Sequence, residues 1–335
     1  MISPRKILLI RPDHLGDVIL SLPVAEALKR SYPESQVFYL AASGPAQLQI
    51  LADYVDGWII DENSNGKPKS LLSLLKSIRE IGIDTMVELK PSWRTAAAGY
   101  FSRIPLRIGT SRRFYSFFYN HNLNLHRRAS GRHQTDLELA MLEPLNIKVQ
   151  GLFPNLKINN QCLSKASLLT DLKPKSYVII HPGSSGSSPN WPLGNYIELA
   201  KTIASDTEYK VVITGLASDI GPDFDQYINL CGKTDLEALA GLISGAALFI
   251  SGSTGPLHLA DSLGAKCISF FVNHPDIGPD RWGPRRNMTS VLMPEKSCHC
   301  PRLSNCHCLE QVTLDIAFNK IGEALRLREC GPIKQ

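Results

Sequence analysis

A strand, a tight turn and a helix are predicted by the segment Phe249-Ile-Ser-Gly-Ser-Thr-Gly-Pro-Leu-His-Leu-Ala-Asp-Ser-Leu-Gly264. Residues Ala247 to Ser251 fit a short apolar strand, and Gly252 to Gly255 fit the turn. Pro256 stands in the first turn of the helix, where its missing N–H costs little. Such a turn exposes backbone amides and the positive end of a helix dipole, which suits a phosphate. The alternative is an ordinary strand-to-helix connection in which His258 packs or caps.

Length and composition indicate a soluble protein with two domains. The chain has 335 residues, of which 43% are hydrophobic, and this is enough to fill two cores. Its apolar runs are shorter than the roughly 20 residues that a helix needs to cross a bilayer, so we expect a cytoplasmic protein. The formal net charge of +5 is too small by itself to indicate a nucleic-acid partner.

The first half of the chain alternates strand and helix patterns. Lys6 to Arg11 is an apolar run with polar ends, typical of a strand buried on both faces of a parallel sheet. Gly16 and Asp17 follow it at the start of a predicted helix, and Asp17 either caps that helix or faces the ligand cleft of an open α/β sheet. Further patterns, including a helix from Leu48 to Tyr54, continue the alternation, which indicates a doubly wound sheet.

A basic and aromatic segment lies in this half, from Leu89 to Thr135. It contains nine Lys and Arg residues but no Asp or Glu. Arginine pairs with carboxylates and phosphates, and aromatic residues settle at a membrane boundary, so three anionic partners fit: a charged glycan, an anionic lipid surface or a nucleic acid. We disfavour nucleic acid because no nucleic-acid-binding motif is present, and we assign Phe117 and Phe118 to the core. We expect acceptor contacts from Gly16, Lys90, Arg94, Arg112 and Arg113.

The second half repeats the pattern of the first. After a polar connecting stretch from Gly151 to Pro174, a buried strand at Tyr177 to His181 opens into a loop rich in Gly and Ser. Ser184 and Ser185 in this loop are small enough to let a phosphate approach the backbone. We therefore predict two Rossmann-like α/β domains that face an interdomain cleft, over residues 1–155 and 156–310, followed by a C-terminal helix within 311–335.

Five segments of the chain occur in the order seen in one enzyme family. They are Arg11-Pro-Asp-His-Leu-Gly-Asp-Val-Ile-Leu-Ser-Leu-Pro23, Ile104-Pro-Leu-Arg-Ile-Gly109, His181-Pro-Gly with Asn190-Trp-Pro192, Gly232-Lys-Thr234 and Ser253-Thr-Gly-Pro-Leu-His-Leu259. Over nearly its whole length the chain resembles glycosyltransferase family 9, the heptosyltransferases of lipopolysaccharide core assembly. The resemblance implies a GT-B fold with an acceptor domain, a donor domain and a C-terminal helix that crosses back to the first domain.

The resemblance also implies roles for single residues. Asp17 matches the proposed general base of the family. The positions that match the donor site are Ser184, Ser185, Asp219, Thr234, Ser253, Thr254, Gly255 and His258. The chain departs from the family at Ser253, where an acidic residue is usual, at Pro189, where lysine is usual, and at Asp219, which replaces glutamate. The missing lysine removes a charge that would neutralise the leaving diphosphate, so another cation supplies it, the donor differs, or the activity is weakened.

The implied reaction is the inverting transfer of heptose, or a related sugar, from ADP-heptose to an anionic acceptor of the lipopolysaccharide core. One carboxylate takes the acceptor proton while amides at a helix end receive the diphosphate charge, so we expect no cofactor and no metal. The partners would be a nucleotide sugar, a lipid-linked glycan and, transiently, the inner-membrane surface. Two alternatives are a degenerate nucleotide-sugar-binding protein and a Rossmann-type epimerase or oxidoreductase, which the missing Gly-X-Gly-X-X-Gly disfavours.

A cysteine cluster lies near the end of the predicted donor domain. Cys298, Cys300, Cys306 and Cys308 lie within eleven residues. Zinc accepts such ligands, but structural sites usually space them C-x₂₋₄-C, whereas each pair here is C-x-C. We therefore favour a loop of free thiols, or a disulfide between the two pairs, over zinc.

Overall fold

The computed structural model describes residues 4–126, 130–184, 186, 188–218, 222–287, 290–300 and 306–325. The chain forms two compact units that divide between Lys157 and Ile158. Each unit contains a parallel sheet with helices, so the prediction of two Rossmann-like α/β domains is confirmed.

The first unit is built on a parallel sheet with the strand order β3-β2-β1-β4-β5-β6. Its elements are β1 (Lys6–Ile10), α1 (Leu15–Ser31), β2 (Gln36–Ala41), α2 (Ser43–Ala46), β3 (Gly57–Ile60), α3 (Leu71–Ile81), β4 (Thr85–Glu88), α4 (Trp93–Phe101), β5 (Leu106–Thr110), β6 (His121–Leu123) and α5 (Gln134–Leu139). In β1 the residues Ile7 to Ile10 are fully buried, which explains their unbroken apolar character.

The second unit has the equivalent strand order, β12-β11-β10-β7-β8-β9. Its elements are α6 (Asn160–Leu169), β7 (Tyr177–His181), α7 (Leu193–Asp206), β8 (Lys210–Ile213), β9 (Ile228–Asn229), α8 (Leu236–Gly245), β10 (Leu248–Gly252), α9 (Gly255–Ser262), β11 (Cys267–Phe270), α10 (Pro279–Trp282), β12 (Val291–Leu292) and α11 (Leu314–Leu325). Strand order reverses beside β1 in the first sheet and beside β7 in the second. Open α/β sheets bind ligands at such points, at the carboxyl ends of the strands.

Two local predictions were wrong. The predicted helix from Leu48 to Tyr54 is a single 3₁₀ turn, Gln47–Ile50. The predicted connecting stretch contains α6, which Asn159 caps by accepting a hydrogen bond from the backbone N–H of Cys162 (3.0 Å). Its polar composition hides it because only Cys162 and Ala166 of this helix are buried.

The C-terminal helix α11 packs its apolar face in the second unit, and its expected crossing back to the first domain stays a prediction. Ala317, Phe318 and Ile321 of α11 are buried in the core of the second unit. The indole N–H of Trp191 donates to the carbonyl of Val312 (2.8 Å) just before the helix begins. The apolar face of α11 is therefore covered by its own unit, and the rest of the predicted helix lies outside the described residues.

Candidate active site

Charged side chains gather at the carboxyl end of β1 in the first unit. Arg11 follows this strand directly and is 1% exposed. Its guanidinium pairs with Asp17 (Nη2 to Oδ1, 2.5 Å), with Asp13 (Nε to Oδ2, 3.4 Å) and, through Nη1, with Glu138. Burial alone would lower the pKa of Arg11, but the charges of Glu138, Asp17 and Asp13 raise it above its usual value. Arg11 therefore stays charged and holds these carboxylates together.

Asp17 is the third residue of α1, and its side chain is 19% exposed. A carboxylate in the first turn of a helix is favoured by the helix dipole. The alternative that Asp17 caps the helix is wrong, because His14 occupies the N-cap position and the Asp17 carboxylate is bonded to Arg11. Gly16 beside it is buried within α1.

A cavity of about 420 Å³ opens in the first unit next to this cluster. Its polar and charged lining residues are Glu88, Lys90, Thr110, Arg112, Arg113, His126 and Glu138, and its apolar ones are Leu89, Pro91, Leu123, Leu125, Leu137 and Met141. Glu138 lines the cavity and also pairs with Arg11, so the cavity adjoins the cluster that holds Asp17. Cationic and apolar walls together suit an anionic ligand with an apolar or ring surface.

Glu88 is a fully buried carboxyl at the end of β4, and it also lines the cavity. The hydroxyl of Tyr119 (2.7 Å), the N–H of Ser92 (2.9 Å) and the hydroxyl of Thr95 donate hydrogen bonds to it. Burial raises the pKa of Glu88 to about 7, although these hydrogen bonds oppose the shift. Glu88 is therefore poised to gain or lose a proton near neutral pH.

The basic segment divides between the cavity and the scaffold. Lys90, Arg112 and Arg113 line the cavity, and Lys90 also pairs with Asp13 (Nζ to Oδ1, 3.1 Å). Arg94 is not among the residues that line it. Its guanidinium binds the buried carboxylate of Asp61 through both terminal nitrogens, which assigns it to the scaffold rather than to an acceptor.

The aromatic residues of this segment form a partly exposed patch of Tyr100, Phe101, Phe117 and Phe118. Ring centroids link Tyr100 to Phe118 (5.3 Å), Tyr100 to Phe101 (5.4 Å) and Phe117 to Phe118 (4.4 Å). Phe118 packs against the first core as expected, but the assignment of Phe117 to the core was wrong, because this residue is 68% exposed. We call this cluster the aromatic patch. A groove beside it is lined by Arg79, Arg103 and Arg107.

In the second unit, the turn between β10 and α9 lies at the carboxyl end of a strand, as the charged cluster of the first unit does. Thr254 is the N-cap of α9, and its hydroxyl accepts a hydrogen bond from the N–H of Leu257 (3.4 Å). Gly255 and Pro256 open the helix, so the predicted strand, turn and helix are confirmed. His258, one turn into α9, is buried, as is Thr254.

The loop after β7 meets this turn, because β7 and β10 are adjacent parallel strands. The hydroxyl of Ser188 donates to the carbonyl of Ser253 (2.9 Å), and the hydroxyl of Ser184 donates to the carbonyl of Ser188 (3.4 Å). A Cβ at Gly252 would lie 2.7 Å from Oδ1 of Asn190, so any larger residue here would have to displace the Asn190 side chain. The structure thus brings Ser184 and Ser253 together, whereas Ser185 and Asp219 lie outside the described residues.

Thr234 lies in the loop after β9, at the far side of β8. Gly232 takes up a left-handed conformation (φ 70°), and its N–H donates to the carbonyl of Gly215 (2.9 Å). This bond joins the Gly-Lys-Thr loop to the loop that follows β8. Thr234 is half-buried, and its role at the donor remains a prediction.

Sequence reasoning missed three charged residues of the first unit: Arg11, Glu88 and Glu138. Arg11 carries a signal in hindsight, since a buried charge directly after an apolar strand needs partners. Glu138 carries none, because 127 residues separate it from Arg11.

The four clustered cysteines lie close together in the second unit. The Sγ atoms of Cys298, Cys300, Cys306 and Cys308 are all within 4.8 Å of one another. Cys298 and Cys306 are separated by 3.5 Å, and Cys300 and Cys308 by 3.7 Å. All four thiols are free, so of the two favoured alternatives, a loop of free thiols and a disulfide between the pairs, this structure holds the first.

None of the described helices combines the length and the apolar composition that a membrane span requires.

Residues 71–308 of the chain match the sequence model of the family glycosyltransferase family 9 (heptosyltransferase). The lipopolysaccharide core heptosyltransferase OpsX of Haemophilus influenzae is 23% identical over 303 residues, covering 87% of this chain and 84% of that protein.

Two solved structures share the fold. A family 9 glycosyl transferase from Veillonella parvula superposes with a TM-score of 0.82 at 22% identity, covering 97% of this chain and 99% of that one. The ADP-heptose lipopolysaccharide heptosyltransferase II of Escherichia coli gives a TM-score of 0.78 at 22% identity, covering 96% of this chain and 98% of that one.

Proposed function

The chain belongs to glycosyltransferase family 9 and is a glycosyltransferase, and from this we propose that it transfers heptose from ADP-heptose to an anionic acceptor of the lipopolysaccharide core. The transfer inverts the anomeric centre, and Asp17 is the general base. One structural neighbour is named as an ADP-heptose heptosyltransferase and one relative as a lipopolysaccharide core heptosyltransferase, which supports this choice of donor and acceptor.

The observation that carries the proposal is the link from Asp17 through Arg11 to Glu138. Arg11 pairs with Asp17 on one side and with Glu138 on the other, and Glu138 lines the cationic cavity. An acceptor held in this cavity can therefore present a hydroxyl to the partly exposed carboxylate of Asp17. Arg11 fixes the orientation of that carboxylate, as efficient proton transfer requires.

The second unit supplies the donor site of the proposed reaction. The amides at the start of α9 and the small residues Ser184 and Ser253 at the neighbouring strand ends suit a diphosphate. The acceptor oxygen forms a bond to the anomeric carbon while the bond from that carbon to the diphosphate breaks. Asp17 takes the acceptor proton. The leaving ADP keeps the electron pair of the broken bond, and hydrogen bonds from the helix amides stabilise the charge on its diphosphate.

Substitution of the base tests this mechanism. We expect Asp17→Asn to bind ADP normally but to lose turnover by about 10²–10⁴, because the amide cannot accept the acceptor proton. Turnover is measured as ADP release and by the mass of the glycosylated core acceptor, and ADP binding by calorimetry. Asp13→Asn is the matched control, since Asp13 also pairs with Arg11 and should retain most of the activity. Near-normal turnover of Asp17→Asn would remove this residue from the mechanism.

The acceptor assignment rests on the charges of the cavity. Arg112 and Arg113 line it, and both lie on an exposed segment. We expect Arg112→Gln and Arg113→Gln each to raise the KM for a phosphorylated core acceptor by about tenfold, because each removes a charged hydrogen bond worth about 1.5–3 kcal/mol. The KM for the donor should not change. Arg30→Gln, on the exposed side of α1, is the control of equal charge. An unchanged acceptor KM in both cavity variants would exclude this cavity as the acceptor site.

A lipid-linked acceptor requires the enzyme to work at a membrane surface, and the aromatic patch suits this. Phe101 and Phe117 are 50% and 68% exposed, and three arginines line the adjoining groove. We infer that the patch inserts between the headgroups of an anionic leaflet while the arginines pair with lipid phosphates.

Vesicle sedimentation tests this docking. Binding should require anionic lipid, and Phe101→Ser or Phe117→Ser should weaken it by at least about tenfold, since each buried Phe contributes about 1.5–3 kcal/mol. Leu168→Ser is the control, because Leu168 on α6 is 85% exposed but lies outside the patch. Equal binding by all three variants, or none by the parent protein, would contradict docking through this surface.

A further inference from the structure

We propose that Cys298, Cys300, Cys306 and Cys308 bind one metal ion, zinc or iron, in a tetrahedral site of four thiolates. The site lies in the second unit and is independent of the transfer reaction. Its function is structural: it fixes the connection that leads from β12 to α11.

The separations of the sulfur atoms match such a site. Four sulfurs held about 2.3 Å from a central ion at tetrahedral angles lie about 3.8 Å from one another. The sulfurs of Cys298 and Cys306 are separated by 3.5 Å and those of Cys300 and Cys308 by 3.7 Å, and all four sulfurs lie within 4.8 Å of one another. Because this limit also holds for the two sulfurs of each C-x-C pair, the short spacing does not keep the four thiols apart.

The chemistry of the four side chains selects the kind of ion. Thiolate sulfur is a soft ligand, and four of them in tetrahedral arrangement are typical of zinc or of a single iron. Calcium and magnesium require oxygen ligands, so these ions are excluded. Binding displaces the thiol protons to solvent, and the metal charge offsets the negative charges that the crowded sulfurs then carry.

The surroundings of the cluster show what the ion would hold in place. Cys298 is 2% exposed and belongs to the second core, and its N–H donates to the carbonyl of Asn273 (2.7 Å) just beyond β11. Beyond Cys308, Leu309 and Val312 are buried in the same core, and α11 follows. A metal ion would therefore tie the end of the sheet to the segment that starts α11.

In the described part of this connection, residues 293–300 and 306–313, few regular backbone hydrogen bonds are formed. Between β12 and α11 the described residues form one short 3₁₀ helix, Cys308–Gln311, and otherwise irregular structure. Small irregular segments commonly gain their stability from a bound metal. This explains why four thiols are concentrated here.

Metal analysis of the untagged, full-length protein is the first test. The protein is expressed in medium with zinc and iron and purified without chelators. We expect about one zinc or iron per chain by mass spectrometry, and visible thiolate-to-iron absorption distinguishes iron from colourless zinc. The four thiols should resist a thiol reagent until a chelator and denaturant are added and then all react. Metal below about a tenth per chain, or two disulfides found in the denatured protein without reductant, would overturn the proposal.

Variants connect the metal to the cluster. Cys300→Ser/Cys308→Ser should reduce the bound metal at least about tenfold, whereas Cys162→Ala, a buried free cysteine of α6, should keep it. Chelation should lower the melting temperature and speed hydrogen exchange in 306–325 of the parent protein, but should not affect the double variant further. Retention of the metal by the double variant would contradict the assignment, and so would loss of the metal from Cys162→Ala.

Discussion

At the residue scale, Arg11 positions the carboxylates of the proposed acceptor site. Its buried guanidinium contacts Asp13, Asp17 and Glu138, while Lys90 contacts Asp13 from the cavity side. The two cations and three carboxylates of this cluster have a net negative charge. Arg11 therefore orients Asp17 without fully neutralising the cluster. This balance is compatible with a carboxylate that must accept a proton.

Removal of Arg11 should therefore be costly for stability as well as for activity. We expect Arg11→Met to lower the free energy of unfolding by about 3–5 kcal/mol, because it leaves the 2%-exposed carboxylate of Glu138 buried without its ion pair. Urea denaturation measures the loss. Arg11→Met/Glu138→Gln should recover part of it, since the buried charge is then absent. A loss below about 1 kcal/mol in the single variant would contradict a buried ion pair.

Glu88 should make stability fall as pH rises. Burial raises its pKa from 4.5 to about 7, so the folded state holds the proton more tightly than the unfolded state does. Its favourable contribution is present below pH 4.5 and is lost as the pH rises through about 7. A shift of this size corresponds to about 3 kcal/mol.

Comparison with Glu88→Gln isolates this effect. Between pH 4.5 and 7 the parent should lose up to about 3 kcal/mol of unfolding free energy relative to the variant, because the contributions of shared titrating groups cancel. Chemical denaturation at pH 5 and pH 8 provides the measurement. A difference between the two proteins that does not change with pH would show that Glu88 titrates normally.

At the element scale, the N-cap of α9 prepares the proposed diphosphate site. This helix has eight residues, and the Thr254 side chain fixes its first turn by accepting from Leu257. A fixed first turn keeps the remaining amides aimed in one direction, which favours anion binding.

Thr254→Ala should lower the free energy of unfolding by about 0.5–2 kcal/mol and weaken ADP binding. Thr254→Ser is the matched control, because it keeps the hydroxyl and should retain both properties. Thermal denaturation and calorimetric titration with ADP measure the two effects. Equal ADP affinity in all three proteins would argue against diphosphate binding at this helix end.

At the same scale, the close packing of α6 on α8 depends on a glycine in α8. A Cβ at Gly241 in α8 would lie 2.2 Å from the carbonyl oxygen of Cys162, which is backbone and cannot move aside. We expect Gly241→Ala to destabilise the protein by about 1–3 kcal/mol through overpacking. Gly322→Ala in α11, where a Cβ meets no atom within 4 Å, should be neutral or stabilising. Denaturant midpoints decide between these outcomes, and a neutral Gly241→Ala would mean that the two helices can separate slightly.

At the scale of the whole molecule, each unit has a core of its own. The first core is built around β1 and β4, and the second around β7 and β10. The donor and acceptor roles are therefore proposed for separately stabilised sheets, and the two sites should respond separately to their ligands.

Hydrogen exchange tests this division. ADP alone should slow exchange in 181–190 and 251–258 of the second unit while the cavity segments of the first keep their rates. At a ligand concentration of about 100 times Kd the stabilisation is about 2.7 kcal/mol. Substitution of ADP by UDP at the same concentration is the control for nucleotide preference. Protection confined to 88–91 and 110–126 would place the nucleotide in the wrong unit and contradict the donor assignment.

The sequence by itself determined the two-sheet α/β architecture and the turn of the donor side. Alternation of apolar strands with amphipathic helices is a local pattern, and Pro256 after a Gly, Ser and Thr turn fixes the start of α9 within a few residues. The sequence also located Asp17 in the first turn of the helix that follows β1, because strand, turn and helix are consecutive along the chain.

Only the tertiary structure decided which distant residues meet. Glu138 pairs with Arg11 although 127 residues separate them. Arg94 binds Asp61 and does not line the cavity. The sulfurs of four cysteines lie within 4.8 Å of one another. It also revealed α6, whose polar sequence hides the contact with Gly241. Local propensity depends on neighbours within a few residues, whereas ion pairs, cavities and ligand clusters depend on the order in which strands are laid side by side.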